Sequence, residues 1–70
     1  MYLKENLKLL RKRMKRSQTE VATLLNITRS AYNSYENGVA EPGISLLIKL
    51  TDFYKVNLDK LVRIEIKKID

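Results

Sequence analysis

Arg29, Ser30, Asn33 and Ser34 bring hydrogen-bond donors and acceptors together within six residues, with no carboxylate among them. On a helix, positions three and four apart share one side, so these four would form a single polar face. Such a set can address base edges, because the major groove admits an α-helix and shows a distinct donor and acceptor pattern for each base pair. Arg29 suits the O6 and N7 of a guanine, Asn33 suits an adenine, and the two serines suit either. Chemistry of bond making is a poor fit. The 70 residues include no His and no Cys, and the acidic residues are scattered, so the inventory of acids, bases and nucleophiles points away from an enzyme.

The elements that must position this face are legible from Ser17 to Gly38. Ser17 can cap a helix by accepting a backbone N–H, and Glu20 stands where its carboxylate reaches back to Ser17. Val21 and Leu25 make an apolar stripe, with Ala22 small enough for a second helix to approach. Asn26 tolerates the left-handed conformation that ends a helix and turns the chain sharply. Thr28 is a second N-cap. The helix it opens turns Tyr32 and Tyr35 inward, and Gly38 offers the C′ position of a Schellman ending. A helical hairpin with a merely polar surface is the bland alternative. Two N-caps at this separation, the small residue at the crossing and the turn residue together favour a DNA-reading motif.

The sequence SQTEVATLLNITRSAYNSYENG resembles the helix-turn-helix of the Cro and phage-repressor type, the XRE family, and the likeness runs from LKLLRKRM to EPGISLLIKLTDFYKVNLDKL, roughly Leu7 to Leu61. The resemblance implies an all-α, five-helix, lambda-repressor-like DNA-binding domain. It also implies base contacts from Arg29, Ser30, Asn33 and Ser34, and phosphate contacts from Gln18, Thr28 and Asn37. A structural salt bridge between Arg11 and Glu36 would orient the second helix of the motif. The family often carries cations in the connection after that helix, whereas this chain has Val39, Ala40 and Glu41 there.

Around the motif, Leu3, Leu7, Leu10 and Met14 have the period of one buried helix face, giving a first helix from Tyr2 to about Lys15. Lys12, Arg13, Lys15 and Arg16 cluster at its end as steering charge. A later helix, from Gly43 or Ile44 to about Tyr54, places Leu47, Leu50 and Phe53 on a core face flanked by Ile44 and Tyr54, and leaves Leu46 over, either as a lone exposed apolar residue or as part of an interface. A short last helix runs from Leu58 to about Val62. The tail VRIEIKKI alternates apolar and polar residues and reads as a strand, with a helical phase through Val62, Ile66 and Ile69 as the alternative. The expected organisation is therefore a DNA-binding domain over residues 1–62, with the motif at 17–38, and a dimerisation strand within 63–70.

Fourteen Lys and Arg against eight Asp and Glu give a net charge of +6, which suits a polyanion better than a membrane surface. No metal site, cofactor, signal peptide or spanning segment is expected, and the location expected is cytoplasmic. The resemblance further implies a homodimer on a palindromic operator, which the tail strand would reinforce, with Val56, Leu58, Val62, Ile64 and Ile66 at the interface. The function expected is sequence-specific double-stranded DNA binding as a transcriptional regulator, a repressor. Two alternatives keep the same fold: an antitoxin that holds a toxin protein and autoregulates, or the DNA-binding part of a longer repressor with a further C-terminal domain.

Overall fold

The computed structural model describes residues 1–66. These form five α-helices, α1 (Leu3–Arg13), α2 (Gln18–Leu25), α3 (Arg29–Glu36), α4 (Ile44–Tyr54) and α5 (Leu58–Arg63), as the sequence predicts. Helix α3 packs against α1 and α2, while α5 closes on α1 and α4. One core results, with Leu7, Val21, Tyr32, Leu50 and Leu61 all fully buried.

Helix α1 is shorter than its apolar period suggests. It stops at Arg13 because Lys15 takes a left-handed φ of 56°, and Lys15 and Arg16 return their N–H groups to the carbonyls of Lys12 and Arg11. Met14 thus leaves the buried face and is 41 % exposed. In α4 the expected phase is also off. Leu50 and Tyr54 are buried and Leu46, Leu47 and Phe53 pack beside them, whereas Ile44 and Ile48 are exposed. At 3.6 residues per turn Ile44 and Ile48 lie about 120–160° around the helix from Leu50, too far to reach the core that Leu46 does reach.

The tail departs most. Val62 belongs to the last turn of α5, and Ile64 is extended at φ −112° and ψ 132°, but no strand is present among the described residues. Asn6, buried in α1, organises this end. Its amide donates to the carbonyls of Leu61 and Ile64, both at 2.7 Å, and its oxygen accepts the N–H of Ile66 at 3.1 Å. Ile66 is thereby fixed in the chain's own core at 2 % exposure, so it is a core residue and not the dimer-interface residue expected. An extended segment can satisfy its backbone with a buried side-chain amide as well as with a neighbouring strand. The remainder of the expected strand, 67–70, lies outside the described residues. The packed body reaches Ile66, beyond the expected boundary at 62.

Among the described residues three non-glycine residues hold positive φ: Lys15, Asn26 and Lys55. The left-handed conformation costs a residue with an ordinary Cβ about 1–2 kcal/mol, and asparagine less. Lys55→Gly should therefore stabilise the domain by about 0.5–1 kcal/mol after the extra freedom of glycine in the unfolded chain is subtracted, raising Tm by about 2–8 °C. Asn26→Gly should raise it less. Thermal melts of the two variants check the order.

Candidate nucleic-acid interface

The motif is built by local hydrogen bonds. The Ser17 hydroxyl accepts the Glu20 N–H at 3.0 Å while Glu20 accepts the Ser17 N–H at 2.8 Å, closing the capping box. Asn26 turns the chain at φ 59°, and the Ile27 N–H returns to the Ala22 carbonyl at 2.9 Å. Thr28 then caps α3 by accepting the Ala31 N–H at 3.0 Å. At the far end Gly38, at φ 72°, allows the Schellman pair: its own N–H meets the Tyr35 carbonyl and the Val39 N–H meets that of Ser34.

Tyr32 anchors α3 from within. Its hydroxyl shares a 2.6 Å hydrogen bond with that of Tyr54, and burial pushes both phenols above their ordinary range, keeping the pair neutral. On the opposite side Arg29 and Ser30 are exposed, Asn33 and Ser34 half-buried. Arg29, Ser30 and Asn33 border one open recess. The Ser34 hydroxyl donates to the Ala31 carbonyl at 2.7 Å, which leaves it chiefly an acceptor.

A chain of polar contacts ties this face to α1. The Arg11 guanidinium grips Glu36 with two N–H groups, at 2.7 and 3.1 Å, and a third donates to the Arg16 carbonyl at 3.0 Å. Gln18 donates to Glu36 at 3.0 Å, Asn33 donates to Gln18 at 3.0 Å, and Asn37 donates to Asn33 at 2.9 Å. Burial alone would raise the Glu36 pKa; the hydrogen bonds from Arg11 and Gln18 outweigh it and hold the carboxyl below its ordinary range. The same bond to Glu36 raises Arg11 despite its partial burial. Both directions describe one ion pair, made in the interior where guanidinium geometry matches a carboxylate. Arg11 and Glu36 are thus the pair that the resemblance implies.

The sequence did not reveal what Gln18 does inside the protein. Its side chain sits between Glu36 and Asn33, so it fixes the orientation of Asn33 and keeps one N–H for another acceptor. Asn33 likewise retains one N–H and one lone pair, the two groups that a paired contact with adenine uses. Two side-chain amides joined across neighbouring helices carry no spacing signal in the sequence. Thr28 and Asn37 stand exposed at the two ends of α3, where their polar groups are open to a phosphate. Of the residues expected between subunits, Leu58 and Ile64 are exposed and Val56 and Val62 half-buried. Among the described residues no helix is long and apolar enough to cross a membrane, and no three His, Cys, Asp or Glu side chains gather as metal ligands.

Two short capped helices joined through a left-handed asparagine, the second with its polar side outward, define a helix-turn-helix domain. The chain belongs to the XRE-type helix-turn-helix family of DNA-binding transcriptional regulators, whose family model matches residues 7–61. It is 44 % identical over 59 residues to the uncharacterized HTH-type transcriptional regulator YqaE of Bacillus subtilis, covering 84 % of this chain and 51 % of that protein. It is 31 % identical over 61 residues to the cryptic phage CTXphi transcriptional repressor RstR of Vibrio cholerae, covering 87 % of this chain and 54 % of the repressor. A prophage-derived uncharacterized regulator of Bacillus subtilis, YonR, is 43 % identical over 47 residues, 67 % of this chain and 44 % of its own length. The chain spans about half the length of these curated relatives. No solved structure matches it at a significant level.

Proposed function

We propose that this chain binds double-stranded DNA sequence-specifically as a homodimer and represses transcription from a palindromic operator, with α3 lying in the major groove. The single observation that carries the reading is the outward side of α3, where Arg29 and Ser30 are exposed and Asn33 and Ser34 are half-exposed beside them. Arg29 reads a guanine; Ser30, Asn33 and Ser34 contact neighbouring bases; Gln18, Thr28 and Asn37 hold phosphates on either side. The resemblance to a protein described as a transcriptional repressor supports the sign of regulation. Dimerisation through Val56, Leu58, Val62 and Ile64 would set two α3 helices about 34 Å apart, one turn of the duplex.

Selection of bound sites from random duplex tests this directly and should return two inverted half-sites at that spacing. Arg29→Ala should then weaken the selected site by about 5- to 150-fold, the equivalent of about 1–3 kcal/mol, and relax one base position. Gln18→Ala should weaken selected and random duplexes together and, because Asn33 loses its partner, relax a second position. Equal loss on both duplexes for Arg29→Ala would remove α3 from the reading role.

A further inference from the structure

Lys4, Lys8 and Lys12 recur every four residues along α1, so their ammonium groups follow one face of the helix over about 12 Å. All three are exposed, and none forms an ion pair with a described residue. They border a single open recess whose opposite wall is Asn37, the residue that ends the recognition helix. Two carboxylates also border it. Glu36 is already engaged by Arg11 and Gln18, and Glu5 lies on α1 itself, so the recess keeps an excess of positive charge.

The strip meets the recognition helix at Gly38. A β-carbon built there would lie 2.8 Å from the Lys4 Cδ and 3.5 Å from its Nζ, so the missing side chain leaves the space that the lysine stem fills. The Lys4 ammonium thus lies beside the C-terminal end of α3. Meanwhile the connection from Val39 to Pro42, which follows the recognition helix, holds Glu41 and no cation. The positive charge nearest that end of α3 is supplied by α1.

We propose that Lys4, Lys8 and Lys12, with Asn37, form a phosphate-binding strip that grips the duplex backbone beside the groove occupied by α3. The inference rests on the DNA-binding reading above. Each strand carries one phosphate charge per roughly 3.4 Å of axis, so about 12 Å of strip spans about three phosphates. Contacts of this kind set affinity and register and carry no base information.

The test compares the wild-type protein, the triple variant Lys4→Gln/Lys8→Gln/Lys12→Gln, and a charge-matched control, Lys49→Gln/Lys55→Gln/Lys60→Gln, each shown to be folded by circular dichroism. Affinity for the selected duplex and a random duplex is measured across a salt series. Each phosphate contact contributes about 0.9 to the slope of log K against log salt, so the strip variant should lose about 2–3 of slope per protomer and the control less than about one. Base preference should be unchanged. Equal slopes for the two variants would overturn the strip while leaving the DNA-binding reading intact. A wild-type protein that binds no duplex would overturn both. If the triple variant does not fold, the single Lys8→Gln variant decides instead: a slope loss of about 0.9 supports the strip and an unchanged slope overturns it.

Discussion

Arg11→Met is expected to destabilise the domain by about 3–5 kcal/mol, because it strands the Glu36 carboxylate in the interior with its main counter-charge removed. A folded domain holds about 0.05–0.15 kcal/mol per residue, so the loss is a large share of the folding free energy of a chain this short. The Glu36 side chain has no exposed surface, which leaves water little access to replace the guanidinium. Denaturant titration measures the effect. The double variant Arg11→Met/Glu36→Leu should recover most of the loss, since apolar side chains of similar size often replace a buried ion pair at little cost. If the single and double variants were equally unstable, the damage would lie in packing rather than in an unpaired charge.

The same pair sets a pH dependence whose sign changes between the two proteins. In the wild type the Glu36 pKa lies below its ordinary value of 4.5, so its contribution is complete above about pH 4.5 and disappears as pH falls through the folded value. Without Arg11 the strongest bond opposing the effect of burial is lost, which moves the carboxyl upward, so protonation relieves part of the penalty as pH falls. The stability gap between wild type and Arg11→Met should narrow from pH 7 towards pH 4. A gap that widened over that range would refute the electrostatic origin.

Asn6→Ala is expected to cost about 3–5 kcal/mol and lower Tm by about 15–30 °C, given that each buried polar group left without a partner costs about 1–3 kcal/mol. The side chain is 1 % exposed and serves the carbonyls of Leu61 and Ile64 and the N–H of Ile66. Truncation leaves those three groups unpaired and opens a space beside Ile66. Hydrogen exchange should show the Ile66 amide losing protection well before the amides of α2. Asn6→Asp should be no better than Asn6→Ala, because a carboxylate cannot donate to the two carbonyls. Recovery of wild-type stability by aspartate would exclude the bonding pattern described.

What the sequence discloses and what it conceals divide along a physical line. Ser17, Glu20, Asn26, Thr28 and Gly38 act on backbone groups within a few residues of themselves, so their types and spacing suffice to place the motif. The pair of Arg11 and Glu36 spans 25 positions and becomes visible through the family resemblance. Asn6 has no such signal, since its partners are backbone groups more than 50 positions away and any residue could supply them. The tail misleads for a related reason: alternation reports an extended chain with one apolar side, but only Ile64 is extended, whereas Ile66 sits in a 3₁₀ turn and is buried, and the pattern says nothing of what receives it. Met14, Ile44 and Leu46 show the limit of periodicity, which fixes a face only once the helix start and stop are known. The reading face of α3 is the converse. Its residues are legible as a set, whereas the link from Glu36 through Gln18 to Asn33 depends on how two helices cross.

The knot at Asn6 also bears on how the domain is made. Its partners arrive as many as 60 positions later, with the N–H of Ile66, so a nascent chain lacks the last piece of its interior until translation is nearly past this point. The helix-turn-helix is synthesised earlier, but the body that supports it closes only when residue 66 has emerged from the ribosome. Closure of the domain would therefore wait on the emergence of that one residue, and a ribosome stalled short of it would display the motif on an unsealed scaffold.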